Sequence, residues 1–202
     1  MRTIGFRVKS GHAVAVVLEG SAESPRAVAR HLVQLCDPEV AETRQPYHDG
    51  FYRTEENASE IARRVKIVKR CAKKSVDALV QGGRSRFSVR IDGAENRDLT
   101  PGLHAALVVG SVIDPATVGN PHIRAHAHEG RLFRTVLEEA LRSRGIECDV
   151  IVEKQLPDRA AADLRRSRAA IARTVATFGK VLGGPWRADE KAAATAAWLA
   201  LR

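Results

Sequence analysis

The chain has 202 residues, 44% hydrophobic and 28% charged, a length and composition that fit one domain with a sizeable core and exclude a disordered or fibrous chain. Lys and Arg number 33 against 24 Asp and Glu, and the resulting charge of +9 favours polyanionic partners through counterion release and steering. No window approaches the roughly 18 apolar residues of a membrane span, and the start MRTIGFRVKS lacks the apolar core of a signal peptide, so a cytoplasmic protein with no membrane partner is expected.

In chain order, Thr3 to Val8 and His12 to Leu18 are β-branched runs joined by Lys-Ser-Gly, a hairpin signal. RAVARHLVQLC, residues 26–36, fits a third strand. Apolar positions Ala58, Ile61, Ala62, Val65, Val68, Ala72, Val76 and Leu79 recur at three and four and predict a long amphipathic helix ending near Gly82. Residues 82–102 read as an insertion, either an extra hairpin or an ordered loop. LHAALVVGSVI, residues 103–113, is a continuous apolar run of the kind a strand buried on both faces shows. A helix follows from Pro121 to Gly145, opened by its proline and stopped by its glycine. IECDVIVE is a strand, residues 158–184 a further helix, and RADEKAAATAAWLALR a last, alanine-rich helix. Cys36, Cys71 and Cys148 are odd in number with no close pair, so they are expected to be packing residues of a reducing compartment.

Three strands, a helix, then strand–helix units make an α/β arrangement that resembles the RNase H-like superfamily, with a mixed five-stranded sheet covered on both faces. From NPHIRAHAHEGR through GIECDVIVEKQL to RADEKAAATAAWLAL, the progression is similar to the latter half of RuvC-like Holliday-junction resolvases. The resemblance covers one domain over residues 1–202 apart from the 82–102 insertion. It implies a nuclease site in which three or four carboxylates hold two divalent metals. Carried over by position, the first-strand aspartate falls on Arg7, the fourth-strand glutamate near Gly110, the first aspartate of the last helix on Asp189 and the second on Ala192. One carboxylate of four cannot hold two Mg²⁺ ions, so two-metal cleavage is not expected.

Residues near those positions carry the remaining candidates. Arg7, Lys9, Ser10, Arg124, Arg187 and Lys191 compose a potential anion-binding set, aided by a helix N-terminus. His122, His126 and Glu129 share a helical stripe with Phe133, Val136 and Leu137. They can be structural groups, with Glu129 paired to Arg7 or Arg187, or a remodelled catalytic set of His126, Glu129 and Asp189 acting on an anionic substrate. Arg124, His128 and Arg131 are expected on the solvent side. No metal is expected, with His122 and His126 as the alternative: they lie one turn apart, as in two-histidine zinc sites, and Glu129 or Asp189 could complete a set, yet the zinc-hydrolase motif places its glutamate directly after the first histidine and this helix reads HIRAHAHEG. No cofactor is expected either: KSG is too short to count as a phosphate loop, so ATP binding is not expected unless a dimer builds the cleft. Basic runs at Arg63, Arg64, Lys66, Lys69, Arg70, Lys73 and Lys74, and at Arg165, Arg166, Arg168 and Arg173, are solvated helix faces or a nucleic-acid surface. Three functional readings follow: a nucleic-acid-binding domain that does not cut, an enzyme with the remodelled site, and an assembly protein whose alanine-rich helices form a homodimer. The charge favours the first.

Overall fold

The computed structural model describes residues 1–50, 53–81, 89–90 and 102–202. Its sheet has the order β4-β3-β2-β1-β5-β6. β1 (Arg2–Lys9), β2 (His12–Gly20) and β3 (Pro25–Gln34) form an antiparallel meander, and β5 (Leu103–Val109) and β6 (Cys148–Val152) add in parallel on the other side of β1. This is the expected five-stranded mixed sheet. A sixth strand, the two-residue β4 (Val89–Arg90), pairs with Ala29 and Arg30 of β3 and comes from the 82–102 insertion, the rest of which, save Gly102, lies outside the described residues.

Because side chains alternate across a strand, the sheet feeds two separate cores. Ile4, Phe6, Val8, Leu107 and Val109 point to one face, where α1 (Ala58–Val80) and α2 (Pro121–Arg142) cover them with Val68, Val76, Phe133 and Leu137. Val14, Val16, Leu18, Val108 and Ile151 point to the other, under α3 (Leu156–Asp163), α4 (Arg168–Leu182) and α5 (Ala188–Leu199). Caps set the helix starts: Asn57 accepts from the Ser59 and Glu60 N–H groups ahead of α1, and Asn120 accepts from the Ile123 N–H ahead of α2. Among the described residues, no helix is long and apolar enough to cross a membrane.

Three expectations about the helices are corrected. The helix expected over 158–184 is two helices. Arg165 adopts a left-handed φ of 51°, which an α-helix cannot continue through, and Ser167 caps α4 by accepting from the Ala170 N–H. The alanine-rich α5 is not an outward dimer face, since Ala193, Ala194, Ala196 and Ala197 are all fully buried. Its small side chains let it lie directly on β1, where Thr3 Oγ1 donates to the Ala197 carbonyl at 2.7 Å. Arg64 does not belong to the solvated basic face. It lies four residues before Val68 on the inward side of α1, is 6% exposed, and donates to Glu55 at 2.7 Å and to the His48 carbonyl at 2.9 Å.

Cys36, Cys71 and Cys148 are half-buried free thiols. Burial, followed by the nearby Glu138 carboxylate, pushes the Cys148 thiol up to about 11. At pH 8 only about one such thiol in a thousand is ionised. Iodoacetamide should therefore alkylate Cys148 at least about tenfold more slowly than a free cysteine, as read by mass spectrometry of the digested chain. Labelling at the free-cysteine rate would contradict the burial.

Candidate functional site

Two clusters of polar side chains form, one on each side of the sheet. The first gathers at the carboxyl ends of the parallel strands, where open α/β sheets commonly place ligands. Arg7 faces α5 near the end of β1, two residues before Lys9 on the same face, and its guanidinium is buried, with the side chain 6% exposed. Nη1 donates to the Val8 carbonyl at 2.9 Å and Nη2 to Glu153 Oε2 at 2.5 Å. Nε lies 3.7 Å from Asp189 Oδ1 in the first turn of α5. Lys9 Nζ approaches the same Asp189 oxygen at 3.6 Å.

Arg7, Lys9 and Asp189 thus converge as the sequence implied, and Glu153, just after β6, joins them unannounced. The open anion pocket expected around Arg7 does not form there, because its guanidinium is already held by two carboxylates. Two cations and two acids neutralise one another. Ser10, Arg187 and Lys191 are exposed, and Arg187 contributes its backbone N–H to Glu190 Oε2 at 2.8 Å at the start of α5. Gly110 follows the end of β5 with nothing within 4 Å of where a Cβ would sit. Arg124 is exposed on α2, with Nη1 3.4 Å from the Val118 carbonyl.

The second cluster lies where the N-terminal half of α2 meets residues 45–50 and 53–55. Glu129 is 1% exposed, and its Oε1 is 2.8 Å from His48 Nδ1. Its Oε2 is 3.4 Å from His126 Nδ1. Glu129 therefore pairs with two histidines, not with Arg7 or Arg187. The proposed catalytic triplet also separates: His126 and Glu129 ride on α2 at one face of the sheet, and Asp189 rides on α5 at the other. His122 Nε2 and His126 Nε2 are 3.3 Å apart, and His48 packs against both rings. His128 is not in open solvent but stacks on Tyr47 with ring centroids 4.8 Å apart. Burial, then Arg124 and Arg131, lowers its pKa. Burial and the Glu129 charge raise that of the Tyr47 phenol.

The α1 cations separate from Arg64. Arg63, Lys66, Lys69, Arg70, Lys73 and Lys74 are all exposed. At ~100° per residue they fall within an arc of about 140° on the side away from the sheet. Glu60 pairs with Arg63 at 2.9 Å and Glu139 with Lys69 at 3.8 Å, both at the surface. Of the second basic run, Arg165 is exposed, Arg166 lies 5.7 Å over the Trp198 ring and Arg168 pairs with Asp158.

No protein-family model matches the sequence, and no curated protein matches it significantly. Among solved structures, it is similar to RuvC of Thermus thermophilus, with a TM-score of 0.51 and 12% identity, over 98% of this chain and 92% of that one. The same bacterium's RuvC in complex with Holliday junction substrate matches with the same score and identity, over 98% and 91% of the two chains. The likeness establishes an RNase H-like fold of the RuvC type.

Proposed function

We propose that this chain is a RuvC-like domain that binds nucleic acid through its cationic surfaces and does not perform two-metal hydrolysis. The observation that carries the binding is the exposed strip on α1, six Lys and Arg side chains aligned on one helix face with two surface acids beside them. Such a strip follows a phosphate backbone without reading its sequence. The net charge of +9 supports the same reading, as does a fold similar to that of a protein seen with Holliday junction substrate. Lys9, Ser10, Arg187 and Lys191 extend the exposed polar surface at the end of β1.

The divalent ions implied by the fold do not fit the residues present. Arg7, Gly110 and Ala192 supply no side-chain oxygen, and a magnesium ion requires several in near-octahedral order. Asp189 and Glu153 do supply oxygens, but the buried guanidinium lies against both. A cation arriving there meets a fixed positive charge instead of an acidic cradle.

Fluorescence anisotropy with duplex and four-way DNA over a salt series tests the binding. The logarithm of the binding constant should fall linearly with the logarithm of salt concentration, with a slope of about −3 or steeper. Absence of binding at low salt would reject the proposal.

A further inference from the structure

We propose that His48, His122 and His126 form a transition-metal site of the zinc type, oriented by Glu129 and open to solvent at its fourth position. One potential ligand nitrogen from each ring lies within 4.8 Å of the other two. A tetrahedral zinc with Zn–N bonds of about 2.0–2.1 Å separates its ligand nitrogens by about 3.4 Å. The Nε2 atoms of His122 and His126 are already 3.3 Å apart, as one edge of such a tetrahedron requires. The third ring needs only a small closure of the segment that carries it.

The way the rings are held supports the same site. Glu129 is buried and lies beside the Nδ1 atoms of both His48 and His126. A carboxylate accepts hydrogen bonds, so His48 Nδ1 donates to Glu129 Oε1, and a metal would be met by the Nε2 on the other side of that ring. His126 Nδ1 lies beside Oε2 at 3.4 Å without a hydrogen bond. His48 Nε2 is buried and without a hydrogen-bond partner, although the residue is only 5% exposed. An unanswered lone pair in such a place is costly unless an electrophile takes it. Carboxylate to histidine to metal is the arrangement by which outer groups fix ligand orientation.

Imidazole nitrogens select zinc, copper, nickel and cobalt ions over magnesium or calcium. With the His126 side chain 48% exposed, the fourth position faces water. Arg64 is the positioning residue, since its guanidinium grips the Pro46 and His48 carbonyls and Glu55, fixing the loop that presents His48. A bound ion would tie this loop to α2.

The test is titration of the untagged full chain with Zn²⁺ against a chromophoric chelator, with parallel Co²⁺ absorption spectra. One ion per chain is expected, with a dissociation constant below about 1 µM, and visible Co²⁺ bands of tetrahedral intensity. The exposed position makes His126→Ala the variant that keeps its fold, checked by circular dichroism, and it should lose about a hundredfold in affinity. Glu129→Gln should lose about ten- to a hundredfold, and the remote, exposed His104→Ala should lose none. Equal zinc affinity in wild type and His126→Ala overturns the proposal, as do Co²⁺ spectra showing thiolate charge transfer.

Discussion

A chain with Lys69, Arg70, Lys73 and Lys74 all replaced by alanine is expected to bind duplex or branched DNA at least about tenfold more weakly at low salt, with a log–log salt slope shallower by about three. The four side chains are exposed on the solvent face of α1. Lys69 has an ion pair with Glu139 at 3.8 Å, both groups half-exposed, a type of contact worth ~0–1 kcal/mol. Alanine is also the best helix former. Folding should therefore change little, and the loss should be one of phosphate contacts. Anisotropy measured from low to moderate salt reads both quantities. Unchanged affinity with an unchanged slope would remove α1 from the interface.

The largest stability effect is expected at Gly5. A Cβ built there falls 1.9 Å from the Ala193 carbonyl oxygen and 2.4 Å from the Ala197 nitrogen, both of them α5 backbone that no rotamer change can move. Gly5→Ala must push α5 off β1. That strains the Thr3–Ala197 hydrogen bond, opens the face packed by Ala193 and Ala197, and draws Asp189 away from Arg7. We expect a loss of about 3 kcal/mol or more, and a fall of roughly 6–12 °C in Tm for a chain of this size. Thermal unfolding followed by circular dichroism measures it. A Tm within about 2 °C of wild type would show that the helix does not lie this close to the strand.

The strands and two long helices were legible because each carries its own periodicity. β1 and β2 are buried on both faces, so every position from Thr3 to Val8 reads as strand, and α1 repeats its apolar positions through six turns. The break between α3 and α4 was hidden by an unbroken run of good helix formers. Ser167, a preferred cap placed ahead of an apolar repeat, was the one local sign. Arg7 and Asp189 could be placed because they occupy fixed positions in a hairpin and a first helical turn. Glu153 could not, since its part depends on the registers that set the end of β6 against β5 and of β5 against β1.

His48 was the largest omission. It lies in a polar segment more than seventy residues from His122, and no periodicity links a loop to a helix so far along the chain. Arg64 was readable in principle. Its spacing of four from Val68 puts it on the inward face, where a charged side chain must find partners. The basic run around it masked that signal.

The Arg7 guanidinium holds Glu153 and Asp189 where acids would otherwise gather cations. The most direct measurement is an assay of purified wild-type protein and Asp189→Ala on four-way junction DNA, duplex DNA and RNA in Mn²⁺ and in Mg²⁺. Bound but uncut substrate is the predicted result for both proteins. Metal-dependent cleavage by wild type that disappears in Asp189→Ala would contradict it.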